Sequence, residues 1–172
     1  FLEKQKSKIN GKIRVGYFSP DFRVHSVAYF FNQLLVHHNK DKFDIVLYSN
    51  MSGRPDEITT HFKSTATLWR EVQDLNDEQI INLIQKDNIN ILVDLIGNFA
   101  GGKSKIFARK PAPIQVNYLG YVTTTGLKSM DYRFTTFEAD PNKNDDKFYT
   151  EKLIRLPNTF LCYTGTNVYS VN

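Results

Sequence analysis

Between Ile13 and Ser26 the chain changes its hydrophobic period, and that change restricts the fold more than any other feature. Ile13, Val15, Tyr17 and Phe18 form a short, β-prone apolar run, which Ser19, Pro20 and Asp21 stop. From Ser26 the spacing changes to that of a helix face, through Val27, Phe30, Phe31, Leu34 and Leu35, with Ser26 as the expected N-cap. Strand, loop and helix in direct succession open an α/β sheet, where ligands bind in the loops beyond the carboxyl ends of the strands. His25 closes this loop beside a helix N-terminus, whose positive end favours a neutral, proton-accepting imidazole. A local role, with the ring bonded to nearby backbone, fits the same stretch.

The alternation continues along the chain. Strands are predicted over Lys12–Phe18, Phe43–Ser49, Ala66–Val72, Ile91–Ile96, Ile114–Leu119, Asp131–Thr136 and Lys152–Leu156. Helices are predicted over Ser26–His38, Asp56–Thr65 and Ser104–Arg109, with a further one capped by Asn76 and buried through Ile80, Leu83 and Ile84. The run ILVDLI is apolar nearly throughout, as in a central parallel strand covered on both faces. Asp94 interrupts it, and a carboxylate there is costly unless paired or used. Trp69 is expected to pack. His37 and His38, near the end of the first helix, are expected at the surface. Together these elements predict an α/β fold, a Rossmann-like parallel sheet flanked by helices.

Composition narrows the partners. The 172 residues suffice for one cored domain, with 41% hydrophobic and 23% charged residues. The net charge of +4 is spread out, with local density at Lys103, Lys105, Arg109 and Lys110. That suits a phosphate-bearing ligand better than nucleic acid, whose aromatic motifs are missing. Cys162 is the only cysteine, so no internal disulfide or cysteine metal site is expected. No run approaches the roughly 20 apolar residues of a membrane span.

Gly97–Ser104, GNFAGGKS, matches the phosphate-loop pattern G-x-x-x-x-G-K-[ST] between a predicted strand and a predicted helix. A nucleotidase is therefore one reading. Against it stand the nearby Pro111, which limits the helix to about two turns, and the lack of a later strand ending in an aspartate for Mg²⁺. The glycines still permit close backbone approach.

Three segments in order carry a resemblance: SPDFRVH at Ser19–His25, ILVDLIG at Ile91–Gly97, and PAPIQVNYLGY at Pro111–Tyr121. With FDIVLYSN, MDY and EKLIRLPNTF they resemble the amino-terminal half of the catalytic region of O-linked N-acetylglucosamine transferases. These are the SPINDLY-like glycosyltransferase family 41, including its bacterial relatives. The resemblance implies transfer of N-acetylglucosamine from UDP-GlcNAc to serine or threonine hydroxyls of proteins. It implies a GT-B layout of two Rossmann-like lobes, this chain supplying the N-terminal lobe over residues 12–163. Residues 1–11 become a loosely ordered lead-in and residues 164–172 a polar tail. The implied partners are a carboxyl-terminal lobe, preceding tetratricopeptide repeats and a protein acceptor, in the cytoplasm. No cofactor or metal is implied beyond the donor.

By the same resemblance His25 matches a candidate catalytic base and Asp94 an acidic strand-end position discussed for catalysis. Thr124, Thr125 and Gly126 fall in a loop that lines the cleft. Asp21 belongs to the substrate-side loop, where an ion pair with Arg23 is expected to brace it. Asn98 and Lys103 stand where the family's loop has an aromatic or His and an Arg, and Lys lacks the planar fork of Arg. VTTTG likewise replaces a loop that usually begins PGT. These departures leave open a scaffold domain that keeps the fold without the activity.

Overall fold

The computed structural model describes residues 11–163. The lead-in up to residue 10 and the tail from residue 164 lie outside the described residues. The elements follow the predicted order: β1 (Ile13–Ser19), α1 (Ser26–His37), β2 (Phe43–Ser49), α2 (Glu57–Thr65), β3 (Leu68–Glu71), α3 (Asp77–Lys86), β4 (Ile91–Asp94), α4 (Ser104–Ala108), β5 (Ile114–Asn117), β6 (Tyr132–Thr136), a 3₁₀ segment (Lys143–Phe148) and β7 (Lys152–Leu156). The seven strands form one sheet in the order β3-β2-β1-β4-β5-β6-β7, and every pair is parallel.

This order decides where the helices go. Parallel crossovers are almost always right-handed. The steps β1 to β2 and β2 to β3 move one way across the sheet, so α1 and α2 share a face. The steps β3 to β4 and β4 to β5 move the other way, so α3 and α4 cover the opposite face. The two cores have this composition. One joins Ala28, Phe31 and Leu35 of α1 and Ile58 and Phe62 of α2 to Val15, Tyr17, Leu47, Val93 and Leu95. The other joins Ile80, Ile81 and Ile84 of α3 and Ile106 and Phe107 of α4 to Phe18, Val46, Tyr48 and Leu92. Alternate strand residues thus serve opposite faces. Trp69 packs as expected, its ring 5.8 Å from that of Phe22.

Two capping boxes form. Asp56 and Thr59 close α2, and Asn76 and Gln79 close α3. Two strands end earlier than their apolar runs suggest, β4 at Asp94 and β5 at Asn117. At β4 the cause is local: Asp94 Oδ1 accepts the backbone N–H of Ile96 and of Gly97, both at 3.0 Å, and turns the chain out of the ladder.

Two buried polar ties extend the sheet's order into its loops. Asp87, 4% exposed at the end of α3, accepts from Tyr48 Oη at 2.8 Å and from Arg70 Nε and Nη2 at 3.0 and 2.6 Å. Glu151, 4% exposed just before β7, grips the loop after β5. It accepts from Thr124 Oγ1 and Thr125 N, both at 2.7 Å, and from Thr125 Oγ1. Burial pushes the Glu151 carboxyl up, but the bonds from Thr125 and Thr124 outweigh it and hold it below the usual range.

His38 departs from its expected surface role. Its Nε2 lies 2.8 Å from Tyr17 Oη, and its ring packs against those of Tyr17 and Phe43. Burial lowers its pKa because the charged ring is poorly solvated there. Folding therefore favours the neutral ring. That contribution is complete above about pH 6.5, the unfolded value, and is lost as pH falls through the lower native value. Urea unfolding from pH 8 to pH 5 is expected to show a steeper acid-side loss in the wild type than in His38→Gln. Glu151→Ala is expected to lower stability by about 2–3 kcal/mol in the same assay, since it strands the buried N–H and hydroxyl of Thr125.

Candidate active site

The strand order reverses between β1 and β4, so the loops after these neighbours leave in opposite directions and part to form a crevice. An open groove of about 560 Å³ lies there. Asp21, His25 and the start of α1 line one side, and Leu95, Ile96 and Phe99 line the other. Leu119 and Val122, beyond β5, and Phe160 and Leu161 complete an otherwise apolar wall.

His25 enters the groove by capping a helix. Its backbone is extended (φ −159°, ψ 154°), and its Nδ1 accepts from Val27 N at 3.3 Å. His25, not Ser26, is therefore the N-cap of α1, because Ser26 already has helical geometry. The loop before it is bound at several points. Asp21 N donates to Ser19 Oγ at 3.0 Å, Thr59 Oγ1 lies 2.9 Å from Phe22 O, and Val24 N donates to Asp56 Oδ2 at 2.6 Å. Phe22 is fully buried among Phe31, Phe62 and Trp69. The carboxylate of Asp21, largely buried, lies 3.7 Å from both Arg23 Nη2 and His25 Nδ1. This is the brace expected for Asp21 and Arg23, and it also sets a carboxylate beside the histidine.

The ring chemistry follows from these contacts. While Nδ1 accepts from Val27, a neutral imidazole carries its proton on Nε2. For Nε2 to accept a proton, Nδ1 must carry one, and Asp21 Oδ2 is the carboxylate placed to receive that N–H.

Asp94 does not share the groove. It shares the sheet face of Leu92, opposite to Leu95, and is 2% exposed. Its carboxyl is pushed above the ordinary range by burial, against the pull of the N–H groups of Gly97 and Ile96. It therefore stands apart from His25 and acts on the groove's wall by shaping the loop after β4.

The remaining predicted residues are placed as follows. Asn98 Nδ2 donates to Thr125 O at 3.1 Å, joining the loops after β4 and β5. Thr124 and Thr125 are taken up by Glu151 and do not line the groove, although Val122 of the same loop does. Gly126 takes a positive φ of 74° with open space around it. Lys103 turns away to Asp77 of α3, 3.6 Å from its Oδ1. With Lys103 engaged there and α4 only five residues long, the phosphate-loop reading of Gly97–Ser104 finds no support. The glycines answer a steric demand. A Cβ on Gly97 would come within 2.5 Å of Tyr121, and one on Gly102 within 2.2 Å of Gly97 O.

Asp56 and Glu151 escaped sequence reasoning. Asp56 carried a readable cap signal, D-x-x-T, but nothing local announced its bond to Val24. Among the described residues, no three His, Cys, Asp or Glu side chains are placed to hold a metal ion, and no helix is long and apolar enough to cross a membrane.

Comparison with known proteins agrees with this architecture. The chain is 40% identical over 154 residues to the probable UDP-N-acetylglucosamine–peptide N-acetylglucosaminyltransferase SPINDLY of Solanum lycopersicum, covering 87% of this chain and 16% of that protein. It is 42% identical to the SPINDLY protein of Hordeum vulgare over 155 residues, again 87% of this chain and 16% of that one. The chain therefore spans about 16% of the length of these curated relatives. A mutant O-GlcNAc transferase of Thermobaculum terrenum superposes with a TM-score of 0.84 at 34% identity, over 88% of this chain and 29% of that one. Residues 1–170 match the description Glycosyl transferase family 41. With that match spanning nearly the whole sequence, and the fold and its crevice agreeing, the chain belongs to glycosyltransferase family 41.

Proposed function

We propose that this chain forms the N-terminal lobe of a GT-B catalytic region that transfers N-acetylglucosamine from UDP-GlcNAc to serine or threonine hydroxyls of proteins. The groove at the strand reversal, with His25 in its wall, carries the reading. The relatives' names supply the donor and the peptide acceptor. The rest of the catalytic region, a carboxyl-terminal lobe, would close the groove from the other side. Tetratricopeptide repeats before the catalytic region and a cytoplasmic location belong to the same proposal.

In this reading the acceptor hydroxyl oxygen attacks the anomeric carbon, the bond to the UDP oxygen breaks, and the hydroxyl proton leaves to a base. His25 takes that proton at Nε2, with Asp21 receiving the Nδ1–H. Asp94 is a positioning residue, since its buried carboxylate fixes the turn that carries Ile96 and Gly97. Asn98, Thr124, Thr125 and Gly126 hold the opposite wall, and Lys103 serves the surface between α3 and α4. The displacement balances without a resident cofactor. The charge developing on the diphosphate falls to cations and N–H donors of the carboxyl-terminal lobe.

The scaffold reading rests on the altered loops GNFAGGK and VTTTG. The test uses a protein carrying these residues together with the remaining length of the relatives. Transfer of labelled sugar from UDP-GlcNAc to protein is expected, and His25→Ala is expected to lower kcat by about 10²-fold or more. Failure to bind any UDP-sugar would establish the scaffold reading. A full rate in His25→Ala would remove the histidine from the chemistry.

A further inference from the structure

We infer that Asp56, on the neighbouring helix and outside the groove, is a positioning residue for His25. Its carboxylate performs two tasks with two oxygens. Oδ1 accepts from Thr59 N at 2.9 Å and caps α2, while Oδ2 accepts from Val24 N at 2.6 Å and holds the loop that carries the histidine.

The second task has no substitute. Earlier in the loop, Asp21 and Phe22 are anchored by burial and by Ser19 and Thr59. Val24 is 45% exposed, so its side chain contributes little anchoring. The flanking Arg23 is exposed, and its guanidinium meets Asp21 only at 3.7 Å. The 2.6 Å bond to Asp56 is the firm tether immediately before His25. Beyond His25, the cap bond to Val27 is long at 3.3 Å. Release of Val24 would thus leave the ring held by that weak bond and the 3.7 Å contact with Asp21, with the residue fixed only on its helix side, where the His25 carbonyl accepts from Ala28 N at 3.0 Å. Asp56 is charged when it does this: burial pushes its carboxyl up, but the N–H groups of Val24 and Thr59 more than offset that.

The two tasks separate by substitution. Asn caps helices as well as Asp does, so Asp56→Asn keeps the bond to Thr59. Its second atom becomes an NH₂, which meets the Val24 N–H donor to donor. Asp56→Ser likewise keeps a cap oxygen and does not reach Val24. Asp56→Ala loses both tasks. In the 172-residue chain, Asp56→Asn is expected to leave amide protection in α2 intact. Hydrogen exchange at Val24 should accelerate by about tenfold or more, and the ¹⁵N shifts of the His25 ring should move. Ser is expected to behave as Asn does, while Ala alone also loses protection in α2. Unchanged Val24 exchange and His25 shifts in both Asn and Ser variants would overturn the inference, whatever the kinetics.

The kinetic arm rests on the proposed transferase reading and uses the longer protein. Asp56→Asn is expected to lower kcat by about tenfold or more while KM for UDP-GlcNAc stays at the wild-type value. Loss in proportion to thermal destabilisation, in the Ala variant only, would assign Asp56 a capping role alone and overturn the inference. Shifted His25 signals with an unchanged kcat would keep the tether and dismiss the histidine's part in transfer. A wild-type protein without transferase activity would sink the transferase reading, leaving the tether to be decided by the spectra.

Discussion

The parallel pairing of β1 with β4 is the constraint on which the rest depends. These strands are four positions in register, from Val15 with Ile91 to Phe18 with Asp94, and they finish within one residue of each other. Leu95 N then bonds Phe18 O at 3.1 Å, and Gly120 N bonds Leu95 O at the same distance. The chains leaving β1 and β4 therefore start from one line and must diverge, because α1 and α4 lie on different faces of the sheet. A Cβ on Gly120 would approach Leu95 O to 2.2 Å, so side chains are excluded where these loops cross. The crevice is a product of handedness and register, and residues beyond the strand ends decide only its lining.

Buried carboxylates hold the loops at the strand ends and the turn after α3. Desolvating a carboxylate costs several kcal/mol, while each charge-assisted bond returns about 1.5–3 kcal/mol. A single partner is therefore insufficient, and the structure supplies two or more each time; at Glu151 they outweigh burial, whereas at Asp94 two do not. Asp94 has two backbone N–H groups, Glu151 has a backbone N–H and two hydroxyls, and Asp87 has a hydroxyl and two guanidinium nitrogens. The donors come from fixed backbone or from packed strands, so each carboxylate selects one loop conformation. The two walls have independent supports, α2 for the histidine loop and the start of β7 for the loops after β4 and β5.

Most of the fold was legible because it follows from local period and punctuation. Every predicted strand and helix is present, since apolar alternation and caps such as Asn76 are read within one turn. Boundaries failed where a side chain competed with the ladder, as Asp94 does when it takes the N–H groups of Ile96 and Gly97. GNFAGGKS was misleading for a steric reason. Gly97 and Gly101 adopt positive φ, and Gly102 lies against a carbonyl, so packing demanded the glycines that the motif also demands. The candidate site was legible only in part. His25 could be found from its loop, but whether Asp94 faces the same groove depends on which face α1 covers. Parity along β4 places it with Leu92, and that reading needs the strand order first. The bonds of Asp56 to Val24 and of Glu151 to Thr125 span 32 and 26 residues and leave no local trace.

The histidine's double duty is the remaining physical question, and magnitudes decide it. Nδ1 cannot cap α1 and carry a proton at once, so accepting a proton at Nε2 forfeits the bond from Val27. An N-cap is worth about 1 kcal/mol, and one at 3.3 Å is worth less than most. The ring can gain in exchange an N–H bond to a largely buried carboxylate, whose worth is about 1.5–3 kcal/mol once the 3.7 Å separation closes. The exchange returns more than it costs once that separation closes, so a sub-ångström shift of the loop decides whether it occurs. A ring poised in this way needs a loop that is otherwise immobile, which makes the burial of Phe22 and the carboxylate on α2 conditions of the chemistry as much as of the fold.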